Sequence, residues 1–219
     1  MTVEIRSVIR DGGPIAFELF MELALYGVEG FYTKVDGGSA GRSGDFITSP
    51  EIVPLFGVVL VRFLDAEWER LGRPEPFTVV DLGAGPGTLA RSVLAASTVC
   101  HEALRYVAVE VSSPQRARHP VDVDSRADLP DDAFDGVVIA NELLDNIPFR
   151  LMFRDSTGWS EVCLERSGGG LSEVFVGCEE PVAERLSELA PDAPIGARVP
   201  WQGGAASFVA RALGVFEAG

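Results

Sequence analysis

The stretch Phe77-Thr78-Val79-Val80-Asp81-Leu82-Gly83-Ala84-Gly85-Pro86-Gly87-Thr88 constrains the fold of this chain more than any other. Phe77 to Val80 is an apolar run of the kind that forms a strand buried on both faces of a parallel sheet. An acid, Asp81, ends it. Three glycines follow at alternate positions, and Thr88-Leu89-Ala90-Arg91-Ser92-Val93-Leu94 reads as a helix start. Strand, tight glycine turn and helix make one unit of an α/β fold. Glycines there permit positive φ and let a ligand lie against bare backbone. The new helix points N–H groups and a partial positive charge at that ligand.

Two ligand classes use such a turn, and a tight turn in some other α/β protein is the plainer alternative. Dinucleotide enzymes favour G-x-G-x-x-G with a pyrophosphate on the helix N-terminus. Here the spacing is G-x-G-x-G after an acid, which looks like the first motif of class I S-adenosylmethionine methyltransferases. Leu104 to Glu110 reads as a second strand, again ending in an acid, 23 residues beyond Gly87. An acid at that place in a nucleotide-binding sheet accepts hydrogen bonds from ribose hydroxyls; the alternative is an ordinary strand-end carboxylate. Phe134 to Ala140 is a further buried strand and delivers Asn141-Glu142-Leu143-Leu144-Asp145-Asn146-Ile147-Pro148 at its carboxyl end. Ligands of open α/β sheets bind outside those ends. Asp81 with its glycines, Glu110, and the 141–145 cluster therefore converge on one edge.

At 219 residues with 47% apolar side chains the chain can bury a real core, and one domain is expected. A net charge of −15 argues against nucleic acid, which wants clustered Lys and Arg. Cys100, Cys163 and Cys178 form no C-x-x-C pair, which suggests free thiols in a reducing cytoplasm. With His101 and His119 as the only histidines, no metal site is expected. The first residues carry Glu4, Arg6, Arg10 and Asp11 and no secretory apolar region, and the apolar stretch 52–64 is too interrupted to insert in a membrane.

In chain order, Pro14 opens a predicted helix with Ile15, Phe17, Leu19, Phe20, Leu23 and Ala24 on its apolar face, ended by Gly27 and Gly30. The glycine-rich stretch 36–44 reads as a loop or a lid. Ser49-Pro50-Glu51 suits a helix start, and that helix is expected to run to Leu71 before Gly72 and Pro74. The polar segment 111–130 is too short for a full helix and a good strand. Short strands are expected at 151–153, 161–165 and 171–176, a weak helix at 182–189 and a last helix at 205–216.

These residues resemble the MidA-type family of class I methyltransferases, whose mitochondrial members are arginine methyltransferases needed for respiratory complex I assembly. The resemblance covers most of the chain. It rests on Gly13-Pro14-Ile15 with Phe17, Phe20-Met21 and Ala24-Leu25-Tyr26, on Gly30-Phe31-Tyr32, and on Gly44-Asp45-Phe46-x-Thr48-Ser49-Pro50-Glu51 with Phe56-Gly57. It continues through Val80 to Leu89, Glu110-x-Ser112-x-Pro114 and Asn141-Glu142-Leu143-Leu144-Asp145-x-x-Pro148. It implies an α/β, Rossmann-like class I methyltransferase sheet with flanking helices. To this it adds an N-terminal helical and lid extension (1–75), a cofactor-binding core (76–150), and a small β excursion with a last helix after the fourth core strand (151–219). All are expected to form one methyltransferase domain. The segment after Glu110 looks shortened. The family fold continues with a further core strand and a long C-terminal portion, so its C-terminal part is expected to be missing here.

The resemblance also implies S-adenosyl-L-methionine as cofactor, bound by Asp81, Gly83, Gly85, Gly87, Glu110, Asn141, Gly44 and Asp45. It implies a protein substrate carrying the methylated arginine, with a respiratory-complex subunit as candidate. A guanidinium is protonated at physiological pH and poorly nucleophilic, so carboxylates that bind its planar fork and take a proton late are needed. Glu142 and Asp145 are assigned that catalytic role, with Asp45 and Glu51 in reserve; the alternative is that Glu142 and Asp145 merely brace the loop. Two other readings stand beside it: a non-catalytic cofactor-binding or assembly module of the same family, and a dinucleotide oxidoreductase, against which the glycine spacing argues.

Overall fold

The computed structural model describes residues 2–33 and 54–216. They group into two units, one of residues 1–30 with 147–207 and one of residues 31–146 with 208–219.

The second unit holds a four-stranded parallel sheet. Its strands are β2 (Phe77–Leu82), β3 (Leu104–Val109), β4 (Asp124–Arg126) and β5 (Gly136–Ile139), in the order β4-β3-β2-β5. All six residues of β2 are buried, as a central parallel strand requires. On one face, Val61 and Leu64 of helix α3 (Pro54–Arg70) join Phe77, Val79, Tyr106 and Ala108 with Leu89, Ala90 and Val93 of helix α4 (Thr88–Leu94). The two helices touch where Gly57 has no Cβ, because one would come within 2.9 Å of Ser92 Cβ. On the other face, Val80, Leu82, Val107 and Val109 pack with Phe134, Phe208 and Ala212. The segment after Glu110 contains a one-turn helix α5 (Ser113–Arg116) and the three residues of β4. So a reduced helix and strand exist where neither was expected in full.

The first unit is built on a five-stranded antiparallel sheet. It contains β1 (Ile15–Ala16), β6 (Arg150–Arg154), β7 (Trp159–Ser167), β8 (Gly170–Gly177) and β9 (Arg198–Trp201). The excursion is therefore larger than expected, and it recruits the N-terminal segment: Ile15 pairs with Leu164 and Ala16 with Cys163. The helix expected from Pro14 starts only at Phe17, because Ile15–Ala16 is first drawn into that ladder; helix α2 spans Phe17–Tyr26. Helix α1 (Val3–Gly12) precedes it and was not foreseen. Thr2 caps it by accepting from the Ile5 amide at 3.3 Å, and Ile5 and Ile9, one turn apart, bury its inner face against Ile15 and Leu164. Helix α6 (Glu180–Leu189) seats Leu186 on Met152 and Trp159, and helix α7 spans Gly203–Leu213. Among the described residues no helix is long and apolar enough to cross a membrane.

Candidate functional site

The glycine turn between β2 and α4 has Gly83, Gly85 and Gly87 at φ values of 70°, 55° and 80°. That is the left-handed region, where a side chain is strained, so the need for glycine at all three positions is conformational. Their bare faces are not left open, however. A Cβ on Gly83 would come within 2.9 Å of Leu143 Cδ1, and one on Gly87 within 3.0 Å of Pro120 Cδ and 3.2 Å of His119 Cδ2. Neighbouring segments thus take up the Cβ direction of Gly83 and Gly87, whereas at Gly85 only Gln115 Oε1 approaches, at 3.6 Å.

Glu110, at the end of β3, is buried and reaches back to this turn. One carboxylate oxygen accepts the Gly85 amide at 3.0 Å and the other accepts the Ser112 amide at 2.8 Å. The Arg116 guanidinium donates to the Glu110 carbonyl at 2.6 Å. Two of the expected cofactor groups, the glycine turn and the β3 acid, are therefore joined by a direct hydrogen bond.

Asp81 is buried beside them and accepts from the Tyr106 hydroxyl at 2.9 Å. Burial pushes its carboxyl up from the ordinary 3.8 to about 7; the Tyr106 bond opposes the shift and the Glu110 charge adds to it. Its unfolded counterpart ionises near pH 4 while the folded group still holds its proton, so this residue makes stability fall as pH rises from about 4 to about 7. Asp81→Asn keeps an acceptor for Tyr106 and removes the charge. We expect it to unfold about 5 °C above the parent at pH 8 and with the parent at pH 4; equal midpoints at both pH values would place the charge elsewhere.

Beyond β5 the chain turns through Asn141, half-buried, and Glu142 and Asp145, both exposed, with a 3₁₀ turn at Leu144–Asn146. Glu142 sits at φ 51°, uncommon for a residue with a side chain. The Asn146 carboxamide holds it there, donating to the Glu142 carbonyl at 2.8 Å. Tyr32 links this turn to the β3 end. Its hydroxyl donates to Asn146 Oδ1 at 3.0 Å, and its carbonyl accepts from the Ser112 hydroxyl at 2.7 Å. Burial, with the charges of Asp145, Glu110 and Glu142 around it, pushes the Tyr32 hydroxyl up to about 12. Three of the acids singled out in the sequence, Glu110, Glu142 and Asp145, thus act through their charges on one tyrosine. Gly44, Asp45 and Glu51 lie outside the described residues.

Tyr32, Tyr106, Ser112, Gln115, His119 and Asn146 complete the site and were not singled out as functional. Only Tyr32 and Ser112 carried a signal, as members of motifs quoted for the resemblance. Gln115 is nine-tenths buried, and its Oε1 has no hydrogen-bond partner; that oxygen lies 3.6 Å from where a Cβ on Gly85 would stand. An acceptor left unpaired beside the turn, together with the acid at the β3 end, suits a ligand rich in N–H and O–H donors, as S-adenosylmethionine is with its ammonium, ribose and adenine groups. Among the described residues no cluster of side chains could hold a metal ion.

The model of the S-adenosyl-L-methionine-dependent methyltransferase family matches residues 59–217. The chain belongs to this family. A COG1565 superfamily member from Burkholderia thailandensis, solved bound to S-adenosyl-homocysteine, superposes with a TM-score of 0.84 at 28% identity, covering 97% of this chain and 58% of that one. The protein arginine methyltransferase NDUFAF7 homolog of Drosophila melanogaster, named mitochondrial, is 45% identical over 92 residues, 42% of this chain and 21% of that protein. Its counterpart in Homo sapiens, also named mitochondrial, is 36% identical over 104 residues, 47% of this chain and 23% of that protein. The chain thus spans about a fifth of the length of these curated relatives.

The relatives correct one expectation. A cytoplasmic location was drawn from scattered, unpaired cysteines, but close relatives are mitochondrial by name. Unpaired thiols argue against an oxidising compartment and do not choose among reducing ones.

Proposed function

We propose that this protein transfers a methyl group from S-adenosyl-L-methionine to an arginine side chain of a protein. The observation that carries this reading is the Glu110 carboxylate pinned to Gly85 of the glycine turn, and the charges of Glu142 and Asp145 acting with that of Glu110 on Tyr32 support it. Relatives named protein arginine methyltransferases supply the acceptor class. On the resemblance alone, a respiratory-complex subunit is the candidate acceptor.

When bound, S-adenosylmethionine supplies an electrophilic methyl on a sulfonium. The work left to the chain is to bind, to orient and to accept a proton. Asp81, Gly83, Gly85, Gly87, Glu110 and Asn141 hold the cofactor, Glu110 through the lone pairs its two amide bonds leave to the ribose hydroxyls. Gly44 and Asp45 complete this set. Glu142 and Asp145 face the acceptor. A carboxylate pair matches the planar guanidinium fork, fixes which nitrogen is presented and takes its proton as the charge delocalisation breaks. Asn146, by holding the Glu142 backbone, keeps one of those carboxylates in place. Orientation of this kind supplies much of the acceleration in group transfer.

The test has two parts. Calorimetric titration with S-adenosylhomocysteine is expected to give micromolar binding. Glu142→Gln and Asp145→Asn are expected to keep that affinity while lowering methyl transfer to arginine-containing peptides about 100-fold each. The catalytic assignment is falsified if both variants keep full turnover.

A further inference from the structure

Both backbone polar groups of Gly85 are held, and only one of the two holds belongs to the cofactor set above. Glu110 takes its amide. Its carbonyl oxygen lies 2.8 Å from Nε2 of His119, whose Nδ1 lies 2.8 Å from the Ser125 hydroxyl on β4. A carbonyl can only accept, so Nε2 carries a proton; in the neutral ring Nδ1 then accepts from Ser125. The same imidazole lies against Gly87, whose missing Cβ would come within 3.2 Å of His119 Cδ2 and 3.4 Å of its Cα. One side chain therefore contacts two of the three glycines. The backbone just before it is tied to the helix that follows them, because Arg91 on α4 donates to the Arg118 carbonyl at 3.1 Å.

We infer that His119 is a positioning residue for cofactor binding, holding the carbonyl of the Gly85–Pro86 peptide in one orientation while Ser125 sets the tautomer that can do so. The inference rests on the cofactor reading proposed above. The physical need is specific to glycine. A Gly peptide turns over at little steric cost, so a turn with three of them samples several conformations unless both its amide and its carbonyl are tied. Glu110 ties the amide and His119 ties the carbonyl. Gln115, the third side chain beside Gly85, presents only an unpaired oxygen to it and adds no direction. If the competent conformation is populated only in part, affinity falls by that fraction.

The test is titration of the protein with S-adenosylhomocysteine, with thermal unfolding and imidazole ¹⁵N shifts measured alongside. His119→Gln places a terminal N–H near the position of Nε2; His119→Asn is too short to reach it. We expect His119→Ala and His119→Asn to bind about tenfold more weakly and His119→Gln to stay within about threefold of the parent, with unfolding midpoints alike. Ser125→Ala is expected to weaken binding about threefold while leaving the ring in place. Nitrogen shifts of the parent should report the Nε2–H form. His119→Ala binding as tightly as the parent, equal affinities for the Asn and Gln variants, or an Nδ1–H ring would each overturn the inference. Absence of binding by the folded parent would instead remove the cofactor reading and the inference with it.

Discussion

Gly136→Ala is expected to prevent β5 from docking on the parallel sheet. A Cβ at this position would overlap the carbonyl oxygen of Thr78 and stand 2.7 Å from its carbon and 3.0 Å from its nitrogen. Thr78 is the residue directly paired with Gly136 on β2, and its amide donates to the Asp135 carbonyl at 3.0 Å. The obstacle is therefore backbone of the most buried strand in the unit, with no flexible side chain to give way. β5 would have to leave its register, and the turn that carries Asn141, Glu142 and Asp145 would leave with it. Overpacking a core usually costs about 1–3 kcal/mol. With backbone on both sides of the clash we expect about 4 kcal/mol, a large part of the ~5–15 kcal/mol that keeps a domain folded. Urea unfolding followed by circular dichroism measures it. A variant within about 0.5 kcal/mol of the parent, the range of an inert surface change, would mean that β5 does not pair with β2 in this register.

What could be read from the sequence here follows from how local each signal is. β2 was legible because a buried parallel strand is a near-continuous apolar run, and Phe77 to Val80, with only Thr78 polar, is one. Its glycine turn was legible because three left-handed positions demand glycine. β9 was not. Arg198-Val199-Pro200-Trp201 is short and contains a proline, which only an edge strand tolerates, and β9 is indeed the edge beyond β6. Nor was β1, two residues that form a strand only because Leu164 and Cys163 are there to pair with them. Helix α1 did carry signals, a Thr2 cap and Ile5 and Ile9 at helical spacing, that its charged residues obscured. In the site, the strand-end acids announced themselves by position. Their partners could not. Tyr32 meets Asn146 across 114 residues and Ser112 across 80, and His119 meets Gly85 across 34. Tyr32 and Ser112 stood in motifs quoted for the resemblance, but nothing local in the sequence says what they meet, and nothing local distinguishes His119 from a histidine that merely fills space.

Glu110→Ala is expected to be the most damaging single change at the site that the sheet itself survives. The carboxylate satisfies two amides, those of Gly85 and of Ser112, and Ser112 is only 3% exposed. Truncation leaves both donors to find water in the space vacated, at about 2–3 kcal/mol in all. It also frees the Gly85 amide and removes the acceptor assigned to the ribose, so affinity for S-adenosylhomocysteine should fall about 100-fold or more, a loss of ~2.7 kcal/mol. Glu110→Gln should fall between, since it offers one oxygen where two are used and sets an N–H against an N–H. These variants alone do not separate a brace from a ribose ligand, but a ligand lacking the ribose hydroxyls does. If Glu110 holds those hydroxyls, the dideoxy analogue of S-adenosylhomocysteine should lose affinity for the parent but little for Glu110→Gln, narrowing the gap between them, so the two losses would not add. If Glu110 only braces the turn, they would add in full, and Gly85 rather than the ribose would be what the acid at the end of β3 is there to hold.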